Sequence, residues 1–241
     1  MKVLAINSSP RMDKGNTALI LTPFLEGMTE AGAEVELFYT SKLEIKHCNG
    51  AFTCWLSTPG ECHLKDDMQM LYPKLREADI WVLATPVYVD GVTGSMKTLM
   101  ERMIPLLLPL IELRDGHTRH PPRQGTRYGK VVLVANCGLW EMDNFDPLLV
   151  HMKAYCRNLY REFAGALVRP NGVMLGGMMQ MGAEVNDIFE AARDAGRQLV
   201  QDGKMSPETL GIVSREFMTL EMYVQQLNQG VQMVLDALEK K

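Results

Sequence analysis

The sequence predicts an α/β fold: a parallel sheet with helices on both faces. Three observations carry that expectation. Short apolar runs at residues 1–6, 79–84 and 130–135 alternate with segments of helical period. The runs Asp-Ile-Trp-Val-Leu-Ala and Lys-Val-Val-Leu-Val-Ala are apolar at nearly every position, as strands covered on both faces are. No repeat, low-complexity tract or Gly/Ser-rich linker interrupts the 241 residues, so a single compact domain over 1–241 is expected. Each crossover must pack a helix back on the sheet with right-handed sense, which makes the sheet parallel.

The elements follow in order. Residues 1–6 form the first strand. A polar loop runs over 7–15, and Asn16 or Thr17 is the expected N-cap of a helix whose apolar face is Leu19, Ile20, Leu21, Phe24 and Leu25. Gly32 stops it. Residues 34–39 alternate through Val35, Leu37 and Tyr39, giving a second strand. Residues 40–65 lack periodicity and hold three of the five cysteines. A short helix over 66–76 leads to the third strand at 79–84, a loop over 85–93 and a helix over 94–103. The fourth strand spans 130–135, a helix runs over about 147–163, and 166–169 reads as a weak fifth strand. Helices near 184–201 and 214–238 follow. The extra length lies in two insertions, about 40–65 and 105–129, and in a C-terminal helical extension over about 203–241. Asp115-Gly116 in the second insertion signals a hairpin, since a type I′ turn needs positive φ at both central residues.

Charge and cysteine content exclude several classes. Lys and Arg number 25 against 29 Asp and Glu, a net of −4, which argues against a nucleic-acid partner. The longest apolar stretch, 103–111, is broken by Pro105 and Pro109, far short of the ~20 residues a bilayer needs, so no membrane partner is expected. The opening residues lack the apolar core of a signal peptide. With an odd number of cysteines this makes a reduced, cytoplasmic location the expectation.

The strongest chemical signal is the loop between the first strand and the first helix. In an open parallel sheet, ligands bind beyond the carboxyl ends of the strands. A helix N-terminus there offers unpaired N–H groups and partial positive charge to an anion. Ser8, Ser9, Asn16 and Thr17 add short donors and Arg11 a charged fork suited to phosphate. Neither G-x-G-x-x-G nor G-x-x-x-x-G-K-[ST] is present, so a terminal monophosphate fits better than a pyrophosphate. The same Ser, Asn and Thr residues would also serve as plain helix caps.

Four segments now carry a resemblance. Ser9-Pro10-Arg11 with Asn16-Thr17, Ala84-Thr85-Pro86-Val87-Tyr88, Gly94-Ser95-Met96-Lys97, and Cys48 through Cys54-Trp55 to Cys62 and Asp67-Met68 stand in order on the expected elements. The chain resembles the flavodoxin-like NAD(P)H-dependent FMN reductases over roughly 1–138, and its cysteine segment resembles the iron–sulfur-flavoprotein branch. The resemblance implies a three-layer sandwich with strand order 2-1-3-4-5 and FMN as cofactor. It places the phosphate on Ser9, Arg11, Asn16 and Thr17. It sets the ring against Pro86, Val87 and Tyr88, with Gly91 and Gly94 allowing close backbone approach. A third loop would contribute Asn136, Cys137, Gly138 and Trp140. Gly138 is expected to take an unusual backbone angle, and Trp140 to stack on ring or substrate, or to serve packing alone.

By this resemblance NADH or NADPH donates hydride at the open face of the ring. A small acceptor (a quinone, another flavin or an aromatic compound) then takes the electrons there, so no side-chain acid or base is named as catalytic. The resemblance also favours a homodimer or homotetramer. Two other readings stand beside it: an electron-transfer flavoprotein with a protein redox partner, and a non-enzymatic binding module that keeps the fold.

The iron–sulfur relatives carry Cys-x2-Cys-x2-Cys and a further cysteine. Here Ala51 stands where the second would fall, leaving Cys48, Cys54 and Cys62, one thiolate short of a cubane cluster. The spacing also misses the short pair of a zinc site, so no metal is expected. His47 or His63 could supply the missing ligand, but nothing in the spacing requires it. His117 and His120 lie on the expected hairpin. Arg119 and His120 are candidates for touching substrate.

Overall fold

The computed structural model describes residues 1–239. The sheet comprises β1 (Lys2–Asn7), β2 (Glu34–Tyr39), β3 (Ile80–Pro86), β6 (Lys130–Asn136) and β7 (Glu162–Arg169), all parallel, in the order β2-β1-β3-β6-β7. Counting only these strands, that is the expected order 2-1-3-4-5. The intervening β4 (Glu112–Arg114) and β5 (His117–Arg119) form the expected hairpin, with Asp115 at φ 52° and Gly116 at φ 74°.

Strand side chains alternate between two apolar layers, which is why the sequence showed runs rather than alternation. Leu4, Ile6, Trp81, Leu83, Val131 and Leu133 face α3 (Met68–Glu77), α4 (Gly94–Glu101) and α5 (Asp146–Asn158). Val3, Ala5, Val82, Val132 and Val134 face α1 (Asn16–Glu30) and α7 (Asn186–Gln201). These last two helices meet almost backbone to backbone. A Cβ on Gly27 would overlap the Arg193 carbonyl, and one on Gly196 the Phe24 carbonyl.

Several boundaries differ from the sequence reading. Gly15, not Asn16 or Thr17, is the N-cap of α1, and no side chain caps that helix. The helix expected to reach 163 stops at Asn158, because 162–169 is strand. That strand read as weak because Ala164 is an extra residue: Val131 pairs with Phe163 but Val132 with Gly165, whose φ is 127°. The Gly-rich stretch after it is helical, α6 (Gly172–Gln180), and the helix expected over 214–238 begins only at Leu220, as α9 (Leu220–Glu239), with a separate α8 (Pro207–Ser214) ahead of it. Among the described residues no helix is long and apolar enough to cross a membrane.

The two insertions pack on each other. Trp55, on the short α2 (Thr53–Leu56), donates its indole N–H to the Ile104 and Leu107 carbonyls, 3.1 Å each, and its ring lies 4.6 Å from His120. His120 is thus tied into the insertion contact, with Nδ1 2.9 Å from the Leu110 carbonyl oxygen. Beneath them Arg102 and Asp66 form an ion pair at 2.6 Å with side chains 1% and 0% exposed. Arg102 also donates to the Lys46 carbonyl (2.7 Å) and the Cys62 sulfur (3.4 Å).

Candidate ligand site at the carboxyl edge of the sheet

Three loops leave the same edge because their strands are neighbours in register. Asn7 pairs with Ala84, while Pro86, Asn136 and Arg169 stand side by side. Backbone bonds lock the loops together: Ser8 N–H to Ala84, Val87 N–H to Asn136, Cys137 N–H to Arg169 and Gly172 N–H to Cys137, all 2.8–3.0 Å.

The first loop turns tightly. Asn7, fully buried, accepts the Ser9 N–H at 2.9 Å, and Ser8 and Ser9 are buried. A Cβ on Gly15 would overlap the Ser9 hydroxyl, so a larger residue where the chain enters α1 would displace that side chain. The N–H groups of Asn16 and Thr17 lie in the first turn of that helix and have no intrahelical acceptor. Arg11 is exposed and engages no carboxylate among the described residues. Free N–H groups, a helix dipole and an unengaged guanidinium are features able to hold an anion. The Thr17 hydroxyl is not free, however. It donates to Asn136 Oδ1 at 2.5 Å, a buried bond joining the first and third loops.

The second loop is a two-residue reverse turn. Tyr88 and Gly91 exchange backbone bonds at 3.0 and 3.2 Å, while Val89 (φ 47°) and Asp90 (φ 60°) take the left-handed positions. Gly91 was expected to supply the backbone freedom, but the demanding angles fall on the residues before it. A β-branched residue at positive φ is strained by about 1–2 kcal/mol, and such strain concentrates at functional sites. Val89 is 99% exposed and has no packing to lose. We expect Val89→Asn to raise the unfolding free energy by about 1 kcal/mol, seen as a melting-temperature rise of roughly 2–4 °C by calorimetry. An unchanged or lower melting temperature would show that the turn is unstrained. Pro86 is buried, Val87 half-buried and Tyr88 half exposed. Gly94, at the start of α4, has nothing within 4 Å of a built Cβ, which leaves that approach open.

In the third loop, Asn136 and Cys137 are buried. Burial pushes the Cys137 thiol up, partly offset by the Leu139 and Gly138 N–H groups, so at neutral pH it is a thiol. Gly138 does not take the expected unusual angle: its φ is outside the left-handed region, and a Cβ there would make an ordinary 3.6 Å contact with Val173. Trp140 packs at 5.7 Å against Tyr223 of α9, and Tyr223 donates to the Gly138 carbonyl at 2.7 Å.

Sequence reasoning missed Tyr223, which reaches the site from 85 residues away. It also missed Asn171, at φ 56° ahead of α6, whose side-chain oxygen and nitrogen are buried without a protein partner. The Asn-Gly pair at 171–172 was a turn signal that went unused.

Residues 1–144 match the family described as NADPH-dependent FMN reductase. The chain belongs to that family. It is 36% identical over 138 residues to an iron-sulfur flavoprotein of Archaeoglobus fulgidus, covering 57% of this chain and 56% of the relative. It is 38% identical over 106 residues to an iron-sulfur flavoprotein of Methanocaldococcus jannaschii, covering 44% and 53%. The chain thus spans about half the length of the curated relatives it matches. Among solved structures, an NAD(P)H:quinone oxidoreductase from Methanothermobacter marburgensis superposes with a TM-score of 0.58 at 18% identity, over 83% of this chain and 96% of that one. An FMN-dependent NADH-azoreductase from Bacillus anthracis, in complex with FMN, gives 0.56 at 15%, over 83% and 100%. At these identities the structures establish a shared flavodoxin-like fold.

The family's cofactor fits the residues present. The first loop offers unpaired donors and Arg11, the second an open backbone approach at Gly94, and the third a buried edge at Asn136 and Cys137. The cysteine segment offers three thiols, Cys48, Cys54 and Cys62, where a four-thiolate cluster takes four. Among the described residues no three His, Cys, Asp or Glu side chains are arranged to hold a metal ion. Cys54 is buried with its thiol pushed up by that burial, and Cys62 accepts from Arg102.

Proposed function

We propose that the chain is an FMN-dependent oxidoreductase that takes reducing equivalents from NADH or NADPH and passes them to a small acceptor such as a quinone, a flavin or an aromatic compound. The observation that carries the reading is the first loop: free N–H groups at the start of α1 beside the unengaged Arg11. In this reading Ser9, Arg11, Asn16 and Thr17 hold the phosphate, Thr17 through its N–H. Pro86, Val87, Tyr88 and Gly91 of the second loop and Asn136, Cys137, Gly138 and Trp140 of the third would hold the ring, leaving a face open to the nicotinamide. Bound there, FMN supplies hydride and electron transfer. The protein binds and orients it, and Cys137, held as a neutral thiol, adds no charge beside the ring. Tyr223 fixes the third loop by its bond to Gly138. No side chain is assigned a proton-transfer role. The reading assigns no iron–sulfur cluster, and it places the protein in the cytoplasm.

The purified protein should be yellow, or become so on titration with FMN. It should bleach anaerobically with NADH or NADPH and regain colour on adding a quinone. Colour without bleaching by either nicotinamide would favour an electron carrier with a protein partner, and absence of flavin binding would end the reading. Anaerobic purification yielding about four irons per chain would overturn the cluster assignment.

A further inference from the structure

The residue ahead of α6 has no partner for either end of its amide. Asn171 is 2% exposed, and its Oδ1 and Nδ2 are both buried without a hydrogen bond; among the described residues no other side chain has two such atoms. Folded chains leave few of them, because a buried polar group without a partner never recovers its lost hydration. Local structure does not account for this one. An Asn ahead of a helix ordinarily accepts an N–H of the first turn, but Asn171, at φ 56°, makes no such cap. Its backbone is pinned instead. The Asn171 N–H goes to the Leu139 carbonyl at 2.7 Å, and the Gly172 N–H to the Cys137 carbonyl at 2.8 Å. The side chain thus starts from a point fixed to the third ligand loop, and no hydrogen bond has to break for its amide to turn.

A second amide stands beside it. Helix α6 begins against Asn136: a Cβ on Gly172 would come within 3.0 Å of Asn136 Nδ2. The Thr17 hydroxyl donates to Asn136 Oδ1, which leaves Nδ2 as the free end of that amide among the described residues. Thr17, Asn136 and Asn171 are 1%, 6% and 2% exposed. The loops after β1, β6 and β7 therefore meet in a buried polar cluster whose unspent groups are one carbonyl oxygen and two NH2 groups.

That mixture selects the chemistry of a ligand. A phosphate or carboxylate only accepts, and leaves Asn171 Oδ1 without a donor. A cation finds NH2 groups turned toward it. A hydroxyl both donates and accepts, and can meet either end of an amide. Position selects which hydroxyls. In the flavin reading Thr17 holds the phosphate by its N–H, and the hydroxyl of the same residue reaches Asn136. The polyol chain that joins the phosphate to the ring would run past this cluster.

We propose that Asn171, beside Asn136, recognises the ribityl hydroxyls of the flavin, so that it selects for the polyol chain rather than for the ring or the phosphate. The inference rests on the flavin reading and adds a residue from a fourth loop to it.

Calorimetric titration of three flavins into the parent and Asn171→Gly tests it. Glycine suits φ 56° and removes the side chain. FMN and riboflavin should each bind roughly tenfold more weakly to the variant. Lumiflavin, which carries a methyl group in place of the ribityl chain, should bind both proteins equally. The melting temperature without flavin should not fall, since the change deletes two unpartnered buried atoms. Unchanged affinity for FMN and riboflavin overturns the proposal. A loss confined to FMN places the amide at the phosphate, and a loss shared by lumiflavin places it at the ring or in the support of the loop; either overturns it. A parent that binds none of the three ends the flavin reading and this inference together, whereas a parent that binds FMN keeps that reading whatever the variant does. Should the glycine variant fail to fold, Asn171→Ala gives the same comparison without glycine's added freedom in the unfolded chain.

Discussion

Replacing Asp66 with Ala should lower the unfolding free energy by about 3–5 kcal/mol, the cost of removing one partner of a buried ion pair. The geometry makes this polar contact a sensitive one. Asp66 takes two bonds from Arg102, at 2.6 and 3.1 Å, and accepts the N–H groups of Lys46 and Met68. Its loss strands a guanidinium that is 1% exposed, with only the Lys46 carbonyl and the Cys62 sulfur left to it, and takes the acceptor from the Lys46 and Met68 N–H groups. For a chain this long the melting temperature should fall by on the order of 10 °C. The pH dependence has a definite sign. Burial alone would raise the Asp66 carboxyl, but the Arg102 guanidinium and the backbone N–H groups outweigh it and hold the group below the ordinary carboxylate range. The contribution is therefore complete above the unfolded-chain value of about 3.9 and is lost as pH falls through the lower folded value. Urea titrations should show a constant gap between parent and variant at neutral pH, narrowing below about pH 4. A gap under 1 kcal/mol, or one that widens in acid, would refute the role given to this pair.

Arg11→Ala should weaken FMN binding by roughly ten- to a hundredfold, the loss of one charge-assisted contact worth about 1.5–3 kcal/mol. Arg11 is exposed, so its removal leaves the core intact and any change reads as binding. Riboflavin, which lacks the phosphate, makes the test specific. The parent and the variant should bind it equally, so the whole difference appears only with FMN. Equal losses for both ligands would place Arg11 at the ring, and no loss for either would remove it from the site.

Much of this architecture was legible in the chain because it depends on near neighbours. The runs at 79–84 and 130–135 announced strands covered on both faces, and Asp115-Gly116 announced its turn, since period and turn chemistry are local properties. The polar loop between β1 and α1 was legible as an anion site for the same reason: it needs only a strand, a short turn and a helix N-terminus in succession. The break at Ala164 hid half of β7, and the glycines of 172–180 hid α6, because glycine's low helix propensity masks a helix that tertiary packing stabilises. What the chain could not announce are contacts between distant residues. Thr17 spends its hydroxyl on Asn136, 119 positions away, Arg102 meets Asp66 across 36, and Tyr223 closes on Gly138 across 85. The left-handed turn likewise fell on Val89 and Asp90 rather than on Gly91, because the docked ends of β3 and α4 dictate the backbone there and override local preference. Short-range sterics and burial patterning thus determined the elements and the kind of ligand loop. The partners of its polar groups were decided only when the sheet set β1, β3 and β6 side by side.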